Sequence, residues 1–386
     1  MALEEINIRK YDRRIDRDRV EDLERRCEIG SAESSATLIV DTLGDPTCRI
    51  RHCQIYKMLV AELNNTELVG MVQGTIKIVT VHLQHQRQSI VGYILGLRVS
   101  PLHRQRGIAL SLVKKMEEWF ILNHVDLAYM ATDKDNEASV KLFTEKLQYV
   151  KFRTPSILVN PVSNHLMHLS PSIKIVKLNI EHAERLYRRF MGSTEFFPQD
   201  MDRILKNKLS LGTWIAYWQG DSCSRTFDLD QYFPTSWAML SVWNSGQLFK
   251  LRVAKPSLAC KMYAKSSSFI DRFFPCFKFP FIPDMFKPFG FYFMYGLYHE
   301  GPKSGSLMQS LCKLVHNMAI KCQDCKLVVT EIGGCDDMLR HHIPHRKLLS
   351  CPEDLWCIKD LKSEEKLFDL TRTLHPRALF IDPREV

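Results

Sequence analysis

Between Leu102 and Phe120 the chain reads LHRQRGIALSLVKKMEEWF, a short basic loop with one glycine that runs straight into an amphipathic segment. The chemistry open to such a junction is anion binding. The first turn of a helix leaves backbone N–H groups without acceptors and carries about half a positive charge, which favours phosphate. Gly107 has no Cβ, so a bulky ligand can approach the backbone. Ala109 keeps the same surface low beside Ile108. Arg104 and Arg106, flanking Gln105, add charge-assisted donors. Arg104 to Ala109 is therefore a candidate pyrophosphate cradle. The pattern Gln/Arg-x-x-Gly-x-Gly/Ala arises by chance roughly 0.4 times in a chain of this length, so the surrounding elements must decide.

Those elements alternate. Ile6–Tyr11 reads as a strand and Asp16–Ile29 as a helix with Val20, Leu23 and Cys27 on one face. After a loop with Gly44 and Pro46 at its turn, Tyr56–Leu63 and Glu67–Val81 form a hairpin across Asn64-Asn65-Thr66. Ile90–Ser100 is a fourth strand, apolar enough for the middle of a sheet. The basic loop and its helix follow, with Leu112, Val113, Met116, Trp119 and Phe120 on one face. Asp126–Thr132 is a buried strand, Asn136–Leu147 a helix, and Tyr149–Val159 a returning strand.

This order, with the basic glycine loop after the fourth strand, resembles the GNAT superfamily of N-acetyltransferases over about Glu5 to Val159. VEDLERRCE, DPTCRIRH, LGLRVSPLHR, FRTPSILVNP, TEFFP, NKLSLGTW and EDLWCIK extend the resemblance to nearly the whole chain, towards the plant Hookless group of N-acetyltransferases. The resemblance implies an α/β fold with a mixed sheet, acetyl-CoA as co-substrate and a regulatory role in plant growth. It implies that Leu97, Arg98 and Val99 offer the backbone edge that pairs with the pantetheine arm. It places Arg104, Gln105, Arg106, Gly107, Ile108 and Ala109 at the pyrophosphate, and Asn136 and Phe143 beside the pantetheine arm. Acceptor loops of this fold correspond to Ile29–His52 and Tyr149–Pro171, and neither carries an acidic cluster.

Acetyl transfer needs a neutral amine, and a lysine with a pKa near 10.4 must lose a proton first. The fourth strand, VGYILGLRV, holds no carboxylate. Tyr93, Glu62, His103 and Asp133 are the nearby candidates for a base, of which Tyr93 and Glu62 are retained. The departing thiolate also needs a proton. Phe143 stands where many relatives carry a tyrosine, so Tyr93, Tyr129 or water is left for that step. A CoA-binding regulatory or scaffold protein with little turnover is the alternative reading.

The second half echoes the first. IKIVKL answers INIRKY, FGFYFMYGLYHEGP answers VGYILGLRVSP, and SLCKLVHNMA answers SLVKKMEEWF. Such a long period reads as tandem GNAT units, over residues 1–171 and 172–386, the second degenerate. Counted back from the helix, Ser306 falls opposite Gly107, Met308 opposite Ala109, Gly305 opposite Arg106 and Lys303 opposite Arg104. Residues 254–290 form a basic insertion rich in Phe and Pro, and the tail from Thr371 to Val386 is expected along the surface.

Composition sets the remaining limits. A length of 386 residues suggests two domains. The net charge of +9, from 53 basic and 44 acidic residues, is spread along the chain. It fits an anionic co-substrate or an acidic partner and gives no nucleic-acid signature. The charged N-terminus shows no secretory signal and no apolar run reaches a bilayer-spanning length. The 12 cysteines show no zinc spacing, and Cys322-x-x-Cys325 reads as buried thiols, with no metal expected. The expectation is an intracellular protein, cytoplasmic and/or nuclear, with a protein amine as acceptor.

Overall fold

The computed structural model describes residues 6–27, 37–83, 86–220, 234–254, 284–333, 337–347, 349–350, 354–362 and 379–386. Two mixed sheets carry the fold. The first has seven strands in the order β1 (Ile6–Lys10), β3 (Ile55–Leu63), β4 (Glu67–Leu83), β5 (Gln86–Val99), β6 (Leu127–Asp133), β15 (Asp354–Asp360) and β7 (Val150–Arg153). The second has six, in the order β8 (Ser156–Pro161), β14 (Cys325–Ile332), β13 (Gly290–Glu300), β11 (Trp237–Asn244), β10 (Ser210–Trp218) and β9 (Ile173–Leu178). A small ribbon pairs β2 (Thr37–Asp41) with β12 (Lys250–Ala254) across the two halves.

The expected repetition is visible in the backbone. β5 runs antiparallel to β4 and parallel to β6, and β13 stands in the same relation to β11 and β14. The parallel pairing ends at Ile94↔Met130 in one sheet and at Met294↔Thr330 in the other. Two residues further on, Gly96 and Gly296 both adopt φ +60 at a register shift. Glycine takes that left-handed conformation without steric cost, and the bulge it makes turns the strand away from its parallel neighbour.

One strand is expected over Tyr149–Val159, and two are found. Pro155 has no N–H for a ladder, and the chain leaves the first sheet there for the second. β8 lines up on β14, from Leu327↔Pro161 to Ile332↔Ser156. β15 makes the reverse exchange, pairing with β6 from Asp354↔Asp133 to Asp360↔Leu127. Each half thus completes the other's sheet.

Helix α1 (Arg13–Arg26) lies on one face of the first sheet and α2 (Ile108–Leu122) on the other. Leu112, Met116 and Phe120 of α2 are fully buried. Short helices α3 (Glu137–Lys141), α4 (Ile180–Leu186) and α5 (Met201–Lys206) follow, the first two continuing into π turns at Leu142–Lys146 and Tyr187–Met191. In the second half α6 (Ser304–Ile320) covers its sheet and α7 (Asp337–His342) packs against α6. Residues 255–283 of the insertion, 29–36 of the first acceptor loop and 371–378 of the tail lie outside the described residues.

The tail corrects an expectation. Leu379, Phe380 and Ile381 are buried, and so are Asp382, Arg384 and Glu385. The polar sequence looks like a surface strand only until its partners are known. The Lys77 ammonium is 2.7 Å from Glu385 Oε1 and 3.3 Å from Asp382 Oδ2. The Arg384 guanidinium is 2.7 Å from both Asp382 Oδ2 and Asp200 Oδ2. Phe380 N–H donates to the Glu195 carbonyl at 2.8 Å. Removing one member of such a network leaves a buried charge unpaired. Arg384→Ala is expected to cost about 3–5 kcal/mol in urea denaturation; a change below about 0.5 kcal/mol would mark the tail as a surface segment after all.

Candidate active site

Helix α2 starts at Ile108 with Gly107 as its cap, at φ +79 and ψ −2. No side chain caps this end and no acid lies in the first turn, so the amides of that turn are left for another acceptor. Glycine takes this φ without the strain that a side chain brings. A Cβ built at Gly107 meets nothing within 4 Å. The space beside the helix end is therefore open. Gln105 is also left-handed, at φ +63. Arg104, Gln105 and Arg106 are exposed, Ala109 is half-buried, and Ile108 is buried against the sheet, so it offers its backbone alone.

The loop lies at the end of β5, next to a strand edge that β6 no longer pairs. Leu97, Arg98 and Val99 are half-buried there, past the last β5–β6 partner at Ile94. Arg98 is anchored, donating to Glu24 at 3.2 Å and to the Leu97 carbonyl at 3.0 Å. Asn136 caps α3, its Oδ1 accepting from Ser139 N–H at 3.2 Å. Phe143 is buried edge-on to Tyr149, with ring centroids 5.1 Å apart. The cradle and the β5 edge are contiguous in sequence and space. Asn136 stands beyond the end of β6, and Phe143 belongs to the core beneath α2.

Of the two candidate bases, Glu62 is committed elsewhere. Arg9 Nε approaches it to 2.8 Å and Arg19 Nη1 to 2.6 Å. The hydrogen bond from Arg9 chiefly holds its carboxyl down to about 2, where it does not take a proton from an amine near neutrality. Tyr93 lies on the face opposite α2, stacked on Tyr129 with centroids 4.7 Å apart. Burial pushes its phenol far up, so it stays protonated.

That face also holds carboxyls that sequence reasoning missed. Glu331 of β14 accepts from Trp356 Nε1 at 3.1 Å. Burial, reinforced by Asp354, pushes Glu331 up to about 8, and burial raises Asp354 to about 6. Glu385 accepts from the Tyr129 hydroxyl at 2.5 Å. Each comes from an element read as the second unit or as a surface tail. Their convergence on the first sheet follows from the strand exchange, which no local pattern announces.

The second helix end is closed. Its left-handed cap is Lys303, at φ +59, and α6 begins at Ser304. The residue opposite Gly107 is thus Lys303 rather than Ser306. Met308 is fully buried in the core instead of facing a ligand. The obstruction comes from α7, whose His342 ring would stand 2.2 Å from a Cβ at Gly305. Ser304 is buried and bonded to His299 Nδ1 at 2.8 Å.

A glycine-capped helix end with open space, set against a bulged strand that splays from its neighbour, leaves backbone amides and a strand edge free for an anionic, extended ligand. Residues 18–149 match the Acetyltransferase (GNAT) family. The chain is 46% identical to the Probable N-acetyltransferase HLS1 of Arabidopsis thaliana, over 98% of this chain and 99% of that protein. It is 34% identical to the Acetyl transferase GW6a of Oryza sativa subsp. japonica, over 98% and 97%. Among solved structures, Saccharomyces cerevisiae N-myristoyltransferase with bound myristoyl-CoA shares the fold at a TM-score of 0.57 and 10% identity, over 93% of this chain and 80% of that one. The chain belongs to the GNAT superfamily of acyltransferases, in the Hookless group of probable N-acetyltransferases.

Two outcomes are expected. Gly107→Glu fills the open space and sets a negative charge against phosphate. Acetyl-CoA at 100 times its dissociation constant should stabilise the wild type by about 2.7 kcal/mol and the variant not at all; an equal stabilisation would remove the cradle. The second concerns pH. The folded state holds the Glu331 proton up to about 8, whereas an unfolded glutamate releases it near 4.3. Stability from this group therefore falls as pH rises between those values. Glu331→Gln should raise the melting temperature at pH 8.5 and leave it unchanged at pH 4; no gain at pH 8.5 would show that the carboxyl is not confined.

Proposed function

We propose that this protein moves the acetyl group of acetyl-CoA to an amine, a lysine of a protein, in the regulation of plant growth, and that it acts in the cytoplasm or nucleus. The observation that carries the transferase reading is the open helix end at Gly107, continuous with the unpaired edge of β5. In this reading the amides of the first turn of α2, with Arg104 and Arg106, hold the pyrophosphate. The backbone of Leu97–Val99 holds the arm and Asn136 borders it, while Phe143, buried in the core beneath α2, supports this region from below. The acetyl carbon then comes to the splay beyond Ile94 and Met130. Tyr93, kept protonated by burial, would be the donor to the departing sulfur in this reading. The division at residue 171 is proposed for the two units, each lending one strand to the other.

The plant relatives named above support a plant setting, and growth regulation is what the resemblance to the Hookless group implies. Among the described residues no helix is long and apolar enough to cross a membrane, and no group of three or more His, Cys, Asp or Glu could hold a metal ion. The second reading, a CoA-binding regulator with little turnover, is favoured by Phe143 and by the arginine-bound Glu62. Mass spectrometry separates the two. With acetyl-CoA and a library of lysine peptides, acetylated products should form with the wild type and vanish with Gly107→Glu. Binding without product would establish the regulator.

The two helix ends make a further expectation about stoichiometry. One is open and the other is covered by His342, so isothermal titration should give one CoA per chain. A value near two, or tight binding left in Gly107→Glu, would show the second unit to be a working co-substrate domain.

A further inference from the structure

The first sheet ends at β1, and among the described residues no strand pairs with its far side. Tyr11 N–H donates to the Met58 carbonyl at 3.0 Å, continuing the register that sets Lys10 opposite Leu59. In an antiparallel ladder such bonded pairs alternate with pairs whose backbone groups turn outward. The backbone groups of Asn7 and Arg9 therefore face β3, while those of Ile6 and Ile8 and the N–H of Lys10 face the free edge. The Lys10 carbonyl accepts from Arg9 Nη1 at 3.2 Å. Beside this edge a groove of about 180 Å³ opens between the sheet and the second half of α2. Its apolar surface comes from Ile8, Leu59, Trp119 and Leu122. Its rim carries Lys10, Lys57 and Lys115.

The groove is open to solvent and short of negative charge. Ile8 and Trp119 are half-buried, and Leu122 keeps 78% of its surface exposed. Ile55, two residues before Lys57 and so on the same face of β3, is exposed as well. Lys57 Nζ stands over the Trp119 ring, 5.6 Å from its centroid. Burial lowers the Lys57 ammonium from its ordinary pKa, and Lys10 and Lys115 add repulsion. Neither Lys10 nor Lys57 has a carboxylate partner among the described residues. Among those residues Glu118 is the one acid that lines the groove. It meets Lys115 at 2.6 Å, an exposed pair of the kind that contributes little and yields to a competing carboxylate. The Arg9 guanidinium is held on the other face by Asp16 and Glu62.

We propose that this groove docks an extended acidic segment of a partner protein, which adds to the free edge of β1 as a further strand and sets carboxylates against Lys10, Lys57 and Lys115 on either side of one large apolar side chain. The free backbone groups of β1 supply the ladder, and the alternation of a strand brings every second side chain to the groove. The anchor covers Trp119 and Leu122 and removes their apolar surface from water. A second copy of this chain does not suit the groove, because pairing β1 with itself brings lysines to lysines. Lysine on an edge strand guards against such self-pairing, and the same charge selects an acidic partner. Trp119 lies twelve residues after Gly107 on α2, about 18 Å along the axis. A docked segment therefore leaves the start of α2 free and holds its protein beside the acyltransferase unit. The proposal stands on the groove and the strand edge and does not depend on the acyl-CoA reading.

Selection of random dodecapeptides displayed on phage against the full chain tests this without knowledge of the partner. Enriched sequences should carry Glu or Asp two residues to either side of a Phe, Leu or Trp, the spacing that shares one face of a strand. In fluorescence anisotropy an enriched peptide should bind Lys57→Glu at least about tenfold more weakly than the wild type, and Leu122→Ser about threefold more weakly. Exchanging its acids for lysines should abolish binding to the wild type and restore it to the double variant Lys10→Glu, Lys57→Glu. Of two versions methylated on alternate backbone nitrogens, one should lose binding, because one phase faces β1. Thermal melts confirm that each variant folds, and the wild-type selection stands without them. No enrichment of acidic peptides would overturn the proposal. So would enriched peptides that bind Lys57→Glu as tightly as the wild type, which marks a general attraction to the net positive charge. Full binding by both methylated versions would overturn the added strand. A dimer in sedimentation of the full chain that Lys57→Glu abolishes would assign the groove to a second copy and overturn the acidic partner.

Discussion

The exchange of β8 and β15 is the constraint on which the rest of the structure depends. β6 runs parallel to β5 on one side and needs an antiparallel neighbour on the other, and that neighbour is supplied from almost the end of the chain. The first sheet therefore cannot close until the second half has folded onto it. The exchange also has a chemical consequence. It carries Trp356 and Asp354 to the level of the splay and brings β14, with Glu331, against the same face. The tail then fills the remaining joint and balances its own charges with Lys77 and Asp200.

The two units share a backbone plan and differ in what fills it. Gly96 and Gly296 bend equivalent strands at equivalent places. Under the first bulge lies Gln73, whose amide reaches the Pro46 carbonyl at 2.8 Å. Under the second lies Tyr187, packed directly on Gly296 and bonded to Ser241 at 2.7 Å. The second splay is thus plugged by a ring from the π turn after α4, and the second helix end by His342. The backbone plan is repeated, with an open helix end in the first half and side chains filling the corresponding places in the second.

Much of this was legible in the sequence. The strand and helix order, the glycine cap at Gly107 and the echo between LGL and YGL rest on local pattern, which period and composition report well. Three things were not legible. Pro155 signals a break, but nothing local says that the next strand joins another sheet. The register of the second loop was counted from side chains, whereas the helix starts at Ser304, the first residue after a left-handed lysine. Glu331, Asp354 and Glu385 lie in TEIGG, PEDLW and PREV, far apart and unremarkable alone. Burial and mutual repulsion make them distinctive, and both are properties of the folded joint.

The central claim is a single acyl-CoA site that runs from the end of α2 along β5. Hydrogen exchange of the full chain with and without CoA tests it most directly. The account expects slowed exchange at the amides of residues 97–99 and 107–110, with no change at the corresponding residues 297–308. Equal protection of both stretches, or protection confined to the second, would contradict it.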